Sequence, residues 1–409
     1  MTEVATSKGA GAPAEAGAGG SAWKSHVREY GLLGSLLVII VFFQIMTGGV
    51  LLQPVNITNL IQQNSYIVIM ALGMLFVIVG GNIDLSVGSV VGFVGAVAAM
   101  LMVGFKIPSL DIAIKLHWIP VVVLSLLLGA AIGAAQGWFV AYATIPAFIV
   151  TLGGMLIFRG LTGNMLAGQF VGPFANDFQN ISKGFLPDLI DTGSFHTTSM
   201  LIGVAIAAAL FLADYRGWRS AGLKQMDREP APLFFGKNVV FAGLIIGITY
   251  LLASYKGLPV VLVIMGALIL FYNFVTTRTV IGRRIYALGG NPQAARLSGI
   301  RTQRLAFFTF VNMGMLAALA GLIVAARLNS ATPSAGNSFE LDVIAACFIG
   351  GVSASGGAGR VMGVVIGAFF MGVMNNGMSI LGIGIFWQQV VKGLVLLAAV
   401  YLDVYNKSK

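Results

Sequence analysis

Apolar stretches about as long as a bilayer is thick recur along this chain, and they leave it few folds to choose from. A helix needs about 20 mostly apolar residues to cross the hydrocarbon core. Long runs of that kind stand at Leu32–Leu52, Ile119–Ala141, Leu258–Val275, Leu305–Ala326, Val361–Met378 and Ile385–Leu402. Shorter ones lie between them, such as Tyr66–Val79, Val87–Met102, Ser199–Ala213, Val239–Ala253 and Leu341–Ile349. Only 9% of the 409 residues are charged, against about 25% in soluble domains. The expectation is an all-α, polytopic transmembrane protein of roughly 10–11 spans, with Leu341–Ile349 too short for a full crossing.

In such a protein the net charge of +10 marks cytoplasmic loops, not a nucleic-acid surface. Residues 1–29 read as a disordered cytoplasmic tail with Lys24 and Arg28 ahead of the first span, and not as a signal peptide. The membrane domain occupies 30–405, and 406–409 form a short tail with Lys407 and Lys409. Threading from an internal N-terminus puts 159–198 outside. The basic loop 214–238 and the interval 277–303 fall inside, and both termini are cytoplasmic. The interval 277–303 carries Arg278, Arg283, Arg284, Arg296 and Arg301 without an acidic residue.

That interval also holds a self-contained helix signal. Asn291 suits an N-cap and Pro292 the first helical position, Gln293 to Leu297 are helix formers, and Gly299 suits the position after the end. About two turns are not stable alone in water, so this helix must dock on its own membrane domain or on a partner.

Two glycine corners interrupt the apolar pattern. Gly80-Gly81-Asn82-Ile83-Asp84-Leu85-Ser86 and Gly350-Gly351-Val352-Ser353 each follow an Asn-Ser pair and an apolar run. They read as broken helices, and as a sign of two parallel internal repeats. The stripes Gly88/Gly92, Gly129/Gly133/Gly137 and Gly359/Gly363/Gly367 read as close helix packing.

Ionisable residues inside spans are few: Asp84, Asp342 and Lys392. Asp84 reads as holding the start of the following helix, through Ser86 and Ser89, or as a functional carboxylate. Neutral polar side chains in apolar runs are candidates to meet a hydroxyl-rich solute, or to bond between helices. They are Gln62, Gln63, Asn64, Asn375, Asn376, Gln388 and Gln389, and Asn82 with Asp84 joins them as a candidate pathway set. His26, His117 and His196 lie far apart, Cys347 is single, and no Gly-x-x-x-x-Gly-Lys-Ser/Thr loop occurs. The reading is a non-catalytic chain with no metal site and no cofactor of its own.

Gly289 to Ile300 and Gly81-Asn82-Ile83-Asp84-Leu85-Ser86-Val87-Gly88 resemble segments of bacterial ABC sugar importer permeases of the ribose/xylose type. So do Gln62-Gln63-Asn64-Ser65, Ile145 to Gly153 and Glu340-Leu341-Asp342. The resemblance runs from Tyr30 to Leu402. The chain's length and its added basic loop look more like the xylose or multiple-monosaccharide branch. It implies that Gly290, Asn291, Pro292, Ala294, Ala295, Arg296, Ser298 and Gly299 form a helix seated on a separate ABC ATPase subunit. It also implies an extracytoplasmic sugar-binding protein, a second copy of the chain, the bacterial inner membrane, and xylose or a related pentose or hexose as cargo. The competing expectation is a secondary transporter or channel for a small polar solute, with Asp84 as its ion or proton relay.

Overall fold

A computed structural model describes residues 18–107, 112–190, 193, 195–223 and 230–408. The first half of the described chain holds α1 (Ala18–Met46), α2 (Pro54–Val79), α3 (Val87–Val103), α4 (Trp118–Ala141), α5 (Ala147–Leu166), α6 (Asn176–Lys183) and α7 (Thr197–Leu223). The second half holds α8 (Ala231–Ala253), α9 (Val260–Arg278), α10 (Val280–Gly290), α11 (Pro292–Leu297), α12 (Thr302–Leu328), α13 (Phe339–Ile349), α14 (Val361–Ile380) and α15 (Ile385–Ser408). Beside the helices the described residues hold one antiparallel hairpin, β1 (Phe105–Ile107) with β2 (Ile112–Ile114), and two isolated antiparallel bridges, Val171 with Ala331 and Phe185 with Pro259. Nine described helices are long and apolar enough to cross a membrane, and the apolar stretches Gly31–Met46 and Val87–Val103 are shorter.

α2 is the axis of the bundle. From Tyr66 to Val79 it is apolar all round, as a helix segment buried on every side must be. Ile67, Ile69, Met70, Leu72, Met74 and Leu75 have no exposed surface. α12, α13 and α14 pack around it. Hydrocarbon gives helices no hydrophobic reason to associate, so close backbone approach must supply dispersion energy instead. The glycine stripe of α4 does this against α12: a Cβ on Gly133 would overlap the Phe310 carbonyl, and one on Gly129 the Gly314 carbonyl.

α2 and α13 end alike. Gly81 donates to the Ile78 carbonyl and Asn82 to Val77, at 2.9 and 3.0 Å. Gly351 donates to Phe348 and Val352 to Cys347, also at 2.9 and 3.0 Å. Gly81 and Gly351 adopt φ of +84° and +78°, where a side chain would strain the backbone. The two helices lie side by side and run the same way: Tyr66 meets Asp342 and the Ala71 carbonyl meets Cys347, each pair 276 residues apart.

The ends of elements differ from the sequence reading. α1 starts at Ala18, well inside the expected 1–29 tail, of which residues 1–17 lie outside the described residues. α7 continues to Leu223 and α8 starts at Ala231, so Arg216, Arg219 and Lys237 of the interval 214–238 are on helices. The interval 159–198 contains the end of α5 and all of α6. Residues 406–408, expected as a tail, continue α15. Helix formers prolong a span past the membrane when polar residues suit the exposed end. α13 has 11 residues and at 1.5 Å per residue covers about half of the hydrocarbon core.

Candidate functional site

The start of α13 carries a polar cluster in the bundle interior. Ser338 turns the chain with φ +62°, and Glu340 and Asp342 fall in the first turn, where free backbone N–H groups and the helix dipole favour carboxylates. Asp342 is fully buried. It accepts hydrogen bonds from the Tyr66 hydroxyl at 2.8 Å, the Lys392 ammonium at 3.0 Å and the Asn375 amide at 3.3 Å. Lys392 Nζ also stands 2.9 Å from its other oxygen. The Tyr66 ring stacks on Phe339 with centroids 3.8 Å apart, and Arg159 stands 3.6 Å from Glu340. An unpaired charge at this depth would cost several kcal/mol, so the pair is held by mutual need. Five helices meet here: α2, α5, α13, α14 and α15.

The cluster is not fully satisfied. Gln62 Nε2, Asn375 Oδ1 and Glu340 Oε2 have no hydrogen-bond partner among the described residues. Donor and acceptor capacity beside a buried aromatic ring and an ion pair suits a polyhydroxylated solute, whose hydroxyls do both.

The candidate pathway residues divide. Asn375 is in the cluster, and Gln389 reaches its edge by donating to Ser338 Oγ at 3.4 Å. Asn376 bonds Asn56 at 2.9 Å and so ties α14 to α2. Asn64 donates to its own helix at the Leu60 carbonyl, Gln388 donates to the Ile383 carbonyl just ahead of its helix, and Gln63 is half-buried on α2. Asn82 lies just past the end of α2, whose last residue, Val79, is about 20 Å along the helix from Tyr66, and from there the chain turns back until Gly88 of α3 packs against Glu340. Asn82 donates to Gly80. Asp84 accepts from the Ser86 amide at 2.8 Å and its hydroxyl at 2.6 Å, and Ser86 joins Gln136 of α4. The carboxylate thus fixes Ser86, the residue before α3, and bonds no amide inside that helix.

Tyr66, Glu340 and Arg159 did not emerge as site residues from the sequence, and Asp342 and Lys392 stood there as isolated charges. A lysine inside a span and acidic residues opening a short helix were the available signals. Pairing residues 50 positions apart needs the fold.

The arginine-rich interval lies at this same Val79 end of α2, where Gly289 packs on the Val79 carbonyl. Thr279 caps α10 by accepting from Gly282 at 3.1 Å, and Asn291 caps α11 by accepting from Ala294 at 3.0 Å. Pro292 takes the first helical position, and Gly299 turns the chain with φ +80°. Gly290, Asn291, Pro292, Ala294, Arg296, Ser298 and Gly299 are exposed. Ala295 is not: it is 5% exposed and packs into its own chain. Leu297, which sequence reasoning treated only as a helix former, is 90% exposed. It displays a large apolar side chain to solvent beside Arg296 on this short helix.

A family model described as the permease component of branched-chain amino acid transport systems matches residues 56–400. The xylose transport system permease protein of Haemophilus influenzae is 40% identical to the chain, over 94% of this chain and 98% of that protein. Its Escherichia coli K12 counterpart is 39% identical over 94% of this chain and 93% of its own length. The ribose import permease protein of Escherichia coli K12 is 35% identical over 93% of this chain and 95% of its own. No solved structure matches.

Proposed function

We propose a function on one premise: the chain belongs to the family of transport-system permease components, in its ribose/xylose-type branch. It is the membrane subunit of an ATP-driven importer for a monosaccharide, xylose or a related pentose or hexose. It forms the translocation pathway and leaves ATP hydrolysis to a partner ATPase. An extracytoplasmic binding protein delivers the sugar, and two copies of the chain assemble in the bacterial inner membrane.

The observation that carries this reading is the exposed helix α11 with Leu297 turned to solvent at the arginine-rich end of the bundle. That end faces the cytoplasm, as the concentration of Arg278, Arg283, Arg284, Arg296 and Arg301 supports, and both termini and the interval 214–238 share that side. The interval 159–198 and the start of α15 then face outward. The Asp342–Lys392 cluster lies between the two faces, where sugar must pass. Gln62, Asn375 and Gln389 are the amides that meet it, with Tyr66 as the stacking ring. The other candidate amides hold helices in place.

Co-purification in mild detergent tests the coupling face. The native chain should retain its ATPase, and Leu297→Glu should weaken that binding about thirtyfold, the effect of losing an anchor of about 2 kcal/mol. The permease itself should melt as before, since Leu297 touches little of it. Ala295→Glu is the wrong probe, because it would bury a charge inside the chain. Equal ATPase recovery from native and Leu297→Glu chains would remove α11 as the docking helix.

A further inference from the structure

The coupling segment and both glycine corners meet at one point made almost wholly of backbone. The Gly357 amide, in the second corner, donates to the carbonyl of Val79, the last residue of α2, at 2.9 Å. Gly289 of α10 lies over that hydrogen bond. A Cβ added to Gly289 would overlap the Val79 carbonyl oxygen and stand 2.6 Å from the Gly357 nitrogen. Three residues back, the Tyr286 hydroxyl donates to the Gly359 carbonyl at 2.8 Å, pinning α10 to the same corner. The next residue of the segment differs: a Cβ on Gly290 would meet nothing within 4 Å.

We propose that this junction of Gly289, Val79 and Gly357, with Tyr286 as its pin, is the joint through which movement of the coupling helix reaches both corners. Gly289 and Tyr286 are its positioning residues. The proposal rests on the importer reading and adds the route of transmission within it. Backbone contacts without intervening side chains have little slack. A displacement of α10 therefore shifts the end of α2 and the loop between α13 and α14 together. α2 contributes Tyr66, α13 contributes Asp342 and α14 contributes Asn375, so both corners are rigidly connected to the polar cluster. A force applied at Asn291–Ser298 thereby changes the geometry of the sugar path without an intermediate domain.

The test uses the whole importer in liposomes, with its ATPase, its binding protein and xylose as probe. Xylose moved per ATP hydrolysed is measured, together with amide hydrogen exchange over residues 79–86 and 350–360. Tyr286→Phe and Gly289→Ala should each lower the transport ratio and speed exchange in both corners about fivefold, the effect of one lost neutral hydrogen bond, with ATPase binding unchanged. Gly290→Ala should leave both readouts at the native level. If Gly289→Ala fails to fold, Tyr286→Phe decides alone, because it keeps the ring and removes only the pin. Native ratio and native exchange in Tyr286→Phe would overturn the joint. Equal defects in Gly290→Ala and Gly289→Ala would overturn it too. If the native complex moves no xylose on ATP, the importer reading fails, and the exchange data still decide the joint.

Discussion

Two buried carboxylates separate structural from transport work at the level of single residues. Lys392→Met should destabilise the chain by about 3–5 kcal/mol, because it leaves Asp342 charged and unpaired in the interior. Adding Asp342→Asn should recover most of that loss, since the neutral amide no longer needs a counter-charge. Thermal unfolding of the two single variants and the double variant in detergent measures this. A double variant as unstable as the sum of the singles would show that the two residues do not act as a pair. Asp84 predicts the opposite emphasis. Asparagine keeps the oxygen that accepts from Ser86, so Asp84→Asn should lose about 1 kcal/mol of stability and keep xylose uptake within about twofold. A folded Asp84→Asn chain with no uptake would make this carboxylate a relay after all.

Among elements, α7 begins under the control of a carboxylate from the preceding loop. Asp188 accepts from the Thr198 hydroxyl at 2.5 Å and from the amides of Thr198 and Thr197 at 3.0 and 3.1 Å. The Thr198 hydroxyl bond is the chief cause that holds its carboxyl down to about 2, with His196 adding to the effect. A depressed folded value stabilises above the ordinary carboxylate range of about 4 and is lost as pH falls towards about 2. Asp188→Asn should therefore flatten the acid limb of thermal stability between about pH 4 and 2. An unchanged limb would mean that other groups govern it.

The same elements show what a sequence can and cannot disclose. Spans such as Trp118–Ala141 and Val260–Arg278 were legible because the bilayer demands a length and an apolar composition at once. Their extensions were not: the polar end of α7 to Leu223 and the Gly/Ala start of α1 look like loop and tail when read locally. The caps at Thr279 and Asn291 belong to both cases, since only the second adjoins a proline that marks the start. Asn64 and Gln388 looked like pathway amides, but nearby backbone carbonyls claimed them. The ion pair of Asp342 and Lys392 became visible only once α13 and α15 lay together.

Across the whole molecule, a polar cluster and the exposed helix α11 stand at different levels of the bundle, connected by α2 and α13. Two helices that run in parallel and end in the same turn carry the cluster, and the end of α2 packs against α10, the helix before α11. A chain that drove itself with ions would need linked ionisable groups from one face to the other, and the Asp84 carboxylate is instead engaged with Ser86. The most direct test is xylose uptake into liposomes holding the chain with its ATPase and binding protein. Uptake should require ATP and persist when proton and sodium gradients are collapsed. Uptake by the chain alone, driven by an ion gradient and indifferent to ATP, would contradict the account.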